Sequence, residues 1–98
     1  VRSPKIRAAA RDQDCTLRLP GCRNDTATTV LCHSNRSVDG KGGAQKADDD
    51  KGAFGCFHCH DLLDGRARWP GLTKEMIEME FTRAVEETRA ILAAKGLL

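Results

Sequence analysis

The most regular pattern of apolar positions lies in the last quarter of the chain. Ile77, Phe81, Ala84, Val85, Thr88, Ile91 and Leu92 recur at three- and four-residue spacing, which puts them on one face of an α-helix. The spacing predicts a helix over residues 73–95. Thr73 supplies an N-cap, Glu75 puts negative charge in the first turn, and Gly96 fits the C′ position. The apolar face either packs on the rest of the chain or pairs two copies into a homodimer. Elsewhere the pattern is shorter. Thr28 to Cys32 (TTVLC) is rich in β-branched residues and reads as a strand ending at His33. Residues 15–23 (CTLRLPGCR) alternate briefly and then turn at Pro20-Gly21. A short helix is predicted to begin near Cys59 and to stop at Gly65, followed by a connector through Trp69-Pro70. Residues 34–55 are polar and Gly-rich with neither period, so they read as a functional or mobile loop carrying the acidic run Asp48-Asp49-Asp50. Residues 1–14 read as a poorly ordered basic arm ahead of a single domain over 15–98.

Composition sharpens this picture. A chain of 98 residues with three Phe, one Trp and no Tyr has little material for a core. Such chains are usually stapled by disulfides, a metal or oligomerisation. No run approaches the ~20 apolar residues of a membrane span, and the start has no apolar signal-peptide segment. The expected location is therefore the cytosol, where disulfides are rare. Five cysteines also cannot all pair, so metal ligation is the better use for four of them.

Cys56-x-x-Cys59 has the spacing at which two thiolates reach one ion from a tight turn. Cys15 and Cys22 are separated by six residues, wider than a standard knuckle, with Pro20-Gly21 available to fold the excess back. The two pairs suit one structural zinc in a treble-clef arrangement, with a hairpin between the pairs and a helix after the second. Cys32 is left over as a buried free thiol. The segment Cys56-Phe57-His58-Cys59-His60 is also a CxxCH sequence, the attachment site of c-type haem. The extra cysteine pair, the low aromatic content and the lack of a secretory signal argue against haem.

His60 and Asp64 are four residues apart, so they share a helical face. A His/carboxylate pair suits a second, open metal site, and a neutral imidazole at His33 could take a proton from water. An ion at such a site can stabilise charge on a phosphate and its leaving oxygen. Charge adds a further hint. Residues 1–23 carry six Lys/Arg against two Asp, which reads either as a phosphate-binding arm or as a solubilising tail.

In order along the chain, CTLRLPGC, TTVLCH, GAFGCFHCHDLLD and TRAILAAKGLL resemble the HNH (ββα-metal) nucleases, and more narrowly the YbcO-like nuclease family of lambdoid phages and prophages. The resemblance covers most of residues 15–98. It implies a small α+β fold: a zinc-bound treble clef with a long C-terminal helix. It implies structural zinc at Cys15, Cys22, Cys56 and Cys59, with His33 as general base. It also implies that His60 and Asp64 hold a catalytic divalent ion such as magnesium or manganese. Asp49 would take the place of the loop residue, often Asn, that orients the base. Cys32 stands where such sites commonly carry an acidic or His ligand. The expected activity is metal-dependent hydrolysis of phosphodiester bonds in DNA, with Arg18, Arg23, Arg36, Arg66 and Arg68 as candidate phosphate contacts. A non-catalytic, zinc-stabilised nucleic-acid-binding module and a small protein-interaction adaptor are the alternatives.

Overall fold

The computed structural model describes residues 3–33 and 51–98. Asp49, Arg36 and most of the segment expected to be a long loop lie outside the described residues. The described chain is α+β. Helix α1 spans Pro4–Ala9, strands β1 and β2 span Val30–Cys32 and Ala53–Gly55, and helices α2 and α3 span Phe57–Asp64 and Lys74–Ala94. The strands pair antiparallel in one two-stranded sheet, with Val30 opposite Gly55 and Cys32 opposite Ala53.

The predicted long helix forms as expected. The Thr73 hydroxyl accepts from the Met76 amide at 3.1 Å, and Phe81, Ala84, Thr88 and Leu92 form its buried stripe. Helix α2 begins at Phe57, earlier than the pattern around Cys59 suggests, and ends on Gly65 in the left-handed conformation (φ 80°). Its N-cap, Cys56, makes no side-chain capping bond. Thr28 does that job instead, its Oγ1 accepting from the Phe57 amide at 3.1 Å. The same hydroxyl donates to the Asp25 carbonyl at 2.8 Å, closing a 3-10 turn over Thr26–Thr28. That turn is why β1 starts at Val30 rather than at Thr28.

Two expectations are corrected. The N-terminal stretch is not a loose arm: Ser3 caps α1 by accepting from the Ile6 amide, Pro4 sits in the first turn, and Ile6 and Ala10 are buried. Residues 34–55 are not all loop, because Ala53–Gly55 is a fully buried strand. β2 divides the core in two. Ala53 faces a cluster containing Cys15, Leu17, Leu19, Cys32, Cys56, Cys59, Leu62, Phe81 and Ala84. Phe54 faces the opposite way, onto Ile6, Ala10 and Leu92, as period-two alternation requires.

Helix α3 is bonded to β2 by a small buried hydroxyl network. Thr16 donates its hydroxyl proton to the Phe54 carbonyl at 2.7 Å. The 3.1 Å contact between the two threonine hydroxyls must then be donated by Thr88. Thr88 Oγ1 in turn accepts from the Phe54 amide at 3.0 Å. Thr88→Val conserves volume but leaves that buried N–H without a partner, so it is expected to cost about 1–3 kcal/mol, whereas Thr88→Ser keeps most of the stability. Urea unfolding of the two variants checks this; equal stabilities would show the network to be dispensable.

Candidate functional site

The segment between Cys15 and Cys22 is a wide knuckle that closes because other elements hold it. Leu17 and Leu19 point into the core while Arg18 points out. Arg18 and Asn24 adopt positive φ (46° and 49°), and Gly21 does so at 82°. On one flank, Arg83 of α3 donates to the carbonyls of Thr16 at 2.8 Å and Leu17 at 2.9 Å. On the other, His58 of α2 lies 2.8 Å from the Pro20 carbonyl. A carbonyl can only accept, so Nε2 carries the proton. Trp69 and His58 form a T-shaped pair, with ring centroids 5.9 Å apart. Gly21 is required beneath them, since a Cβ there would fall 2.5 Å from Trp69 Cζ3 and 2.8 Å from His58 Nε2.

Held this way, Cys15 and Cys22 meet Cys56 and Cys59 with all four sulfurs within 4.8 Å of one another. Among the described residues these form the one group of three or more Cys, His, Asp or Glu side chains that could hold a metal ion. Tetrahedral zinc with Zn–S near 2.3 Å requires sulfur–sulfur edges of about 3.8 Å, and Cys22 Sγ lies 3.9 Å from Cys56 Sγ. The donor set therefore fits an ion such as zinc. Supporting bonds surround it. The Asn24 amide donates to Cys22 Sγ at 3.4 Å, and Asn24 Oδ1 accepts from the Cys15 amide at 2.7 Å. Hydrogen bonding from Cys59 draws the Cys15 thiol below its ordinary range, against the opposing effect of burial. The same bond, with burial, pushes Cys59 up, and burial raises Cys22.

His60 and Asp64 lie one turn apart on α2, as their spacing predicts. His60 is not at the helix start, however, but one turn inside it. His60 Nε2 is 3.1 Å from Asp64 Oδ2, with both side chains partly exposed. Asp64 also accepts from Arg66 at 2.9 Å, and Arg66 reaches Asp61 at 3.2 Å. Asp61 is thus joined to the same group through Arg66. His33 follows the last residue of β1 and is partly buried. Cys32 is fully buried between the sheet and the cysteine cluster. Burial, and next the charge of Asp64, push its thiol up.

The expected phosphate contacts divide. Arg18 forms a two-pronged pair with Glu87, at 2.9 and 2.8 Å, and Arg66 is engaged by Asp61 and Asp64. Arg23 and Arg68 are exposed and pair with no carboxylate among the described residues. The sequence reading did not single out His58, Trp69, Arg83 or Asn24 as supports. For His58 and Trp69 the available signal was their nearness in sequence to Cys59 and to the turn; for Arg83, 67 residues from Thr16, there was none.

Metal analysis of the purified chain is expected to give about one zinc per chain. Arg83→Met, which keeps the stem and loses the fork, should weaken zinc retention against a chelator roughly tenfold; retention equal to wild type would remove Arg83 from this role. Arg18, followed by Arg83, holds the Glu87 carboxyl near 2, below its ordinary 4.5. A depressed folded-state pKa stabilises the fold above the ordinary value, and that stabilisation is lost as pH falls through the folded one. Urea unfolding of wild type and Glu87→Gln should therefore differ at neutral pH and converge as pH falls from 4.5 toward 2.

Three comparisons bear on this arrangement. Residues 4–97 match the family described as "Putative nuclease YbcO". Relatives carrying that name, from Escherichia coli K12 and from Enterobacteria phage 82, are each 36% identical over 73 residues, covering 71% of this chain and 75% of the relative. The solved structure of "a putative bacteriophage protein" from Escherichia coli K-12 superposes with a TM-score of 0.73 at 26% identity, covering 94% of this chain and all of that one. With a match along almost its whole length, the chain belongs to the YbcO nuclease family.

Proposed function

We propose that this chain is a metal-dependent endonuclease that hydrolyses phosphodiester bonds in DNA, of phage or prophage origin, with an HNH (ββα-metal) site on a treble-clef scaffold. The observation that carries the reading is the geometry around α2. β2 runs through Cys56 directly into α2, whose sulfurs join the cluster and whose next face presents His60 and Asp64 at 3.1 Å. Antiparallel pairing with β2 then brings the end of β1, and hence His33, to the same sheet. Family membership supports nuclease chemistry in general.

In this reading His33, as a neutral imidazole, takes the proton from the attacking water. His60 and Asp64 would hold a divalent ion such as magnesium or manganese. Bound there, such an ion supplies charge neutralisation for the phosphate and the leaving oxygen. Asp64 must release Arg66, which is then free to face a phosphate. Asp49 is assigned to orienting His33, and Arg23, Arg36 and Arg68 to backbone contacts. The engagement of Asp64 by Arg66 favours one rival: a zinc-stabilised nucleic-acid-binding module in which His33 and His60 are structural.

Plasmid nicking separates the two. With magnesium or manganese the zinc-loaded protein is expected to nick supercoiled DNA. His33→Ala should fall by roughly 10²–10⁴-fold, and His60→Ala should be comparably impaired, with zinc content unchanged in both. No cleavage with any divalent ion, in preparations free of contaminating nuclease, would leave the binding module standing.

A further inference from the structure

Trp69 has no part in the proposed cleavage site, yet the structure holds it in place. It is the chain's one tryptophan, and 41% of it is exposed. Its ring meets His58 at 5.9 Å and 89°, and His58 is anchored to the Pro20 carbonyl. Its benzo edge lies over Gly21 so closely that no side chain fits between them. An exposed indole restrained on two sides loses little conformational freedom on binding, which favours recognition.

The surroundings are charged to match. Arg68 precedes Trp69 in sequence, and Arg23 lies two residues beyond the Gly21 on which the indole rests. Both are exposed and both lack a carboxylate partner among the described residues, unlike Arg18 and Arg66. Two exposed arginines, one next in sequence to the indole and one two residues from the glycine beneath it, with a restrained aromatic ring offer what a nucleic-acid strand requires: cations for successive phosphates and a flat surface for a base. In a duplex the base faces are covered by stacking, so only an unpaired base offers its face to an indole.

We infer that Trp69, Arg23 and Arg68 form a docking surface for single-stranded nucleic acid, with Trp69 stacking on an unpaired base. This deepens the proposed action on nucleic acid and rests on that reading. The surface sits on the knuckle side of α2, apart from His60 and Asp64, so it positions a strand rather than reacting with it.

Because the chain has one tryptophan and no tyrosine, indole emission reports Trp69 alone. The zinc-loaded protein is titrated with oligothymidylate and, separately, with a blunt hairpin duplex, without magnesium or manganese. Binding is followed in parallel by the anisotropy of labelled strands. Emission is expected to change saturably with the single strand, in step with anisotropy, and the duplex should bind more weakly. Trp69→Ala should weaken single-strand binding roughly five- to hundredfold, with Trp69→Phe close to wild type. Arg23→Ala and Arg68→Ala should each lower the salt slope by about 0.7. Should Trp69→Ala lose its zinc, the wild-type emission and the two arginine variants still decide. Unchanged emission at saturation, or equal affinity for the duplex, overturns the inference. Nicking that depends on His33 with a silent Trp69 would sink this inference alone. Single-strand quenching without nicking would sink the catalytic reading alone.

Discussion

Four sulfur atoms meet within 4.8 Å, drawn from two segments with 33 residues between them in sequence, and the rest of the structure depends on that meeting. The sheet has only two strands of three residues each, and a two-stranded hairpin is marginal in water by itself. What gives it permanence is that each end is fixed elsewhere. β2 continues through Cys56 into α2, and Cys32 of β1 lies buried against the cysteine cluster. An ion bound there would join the knuckle, the sheet and α2 at one point, which suits a chain whose apolar core is small.

The width of the first knuckle changes how that point is built. In a tight CxxC turn the backbone itself carries both sulfurs. Here six residues intervene, and their carbonyls would be free to wander without partners. Arg83 and His58 supply those partners from α3 and α2, bonding the carbonyls of Thr16, Leu17 and Pro20. Arg83 is itself held by Glu80 and Glu87, and Glu87 also pairs with Arg18 across the knuckle. The cysteine geometry is therefore fixed as much by helix side chains as by the turn. This is why a looser spacing still brings all four sulfurs within 4.8 Å of one another.

What was legible in the sequence was local. The CxxC pair, the three-and-four periodicity of the last helix, the Thr73 cap and the Gly65 stop each need only a few adjacent residues, and each appears in the structure. β2 was not legible, because three residues cannot display alternation and Ala-Phe-Gly carries little β-propensity as a run. Its existence depends on pairing with β1 and on Phe54 having Ile6, Ala10 and Leu92 to pack against. α1 was missed for a similar reason, although Ser3-Pro4 and the four-residue spacing of Ile6 and Ala10 were there to be read. Arg18 shows the limit for charge. Composition marks it as a cation for phosphate, and only the fold places Glu87, 69 residues away, across from it. Asp49, assigned to orienting His33, lies outside the described residues.

The arrangement of His58, Cys59 and His60 then follows from helix geometry. Consecutive residues on an α-helix point about 100° apart, so the three side chains diverge. Cys59 goes inward to the sulfurs, His58 to the Pro20 carbonyl and His60 to Asp64. Fixing any two of these directions fixes the rotation of α2 and therefore the third. Cys56 and Cys59 set the rotation from within, and His58 sets it again from the knuckle. A helix of eight residues would otherwise be free to roll. The direction in which His60 and Asp64 face is thus a consequence of how the cysteines and His58 are held, and disturbance of the knuckle would be felt first as a rotation of that pair.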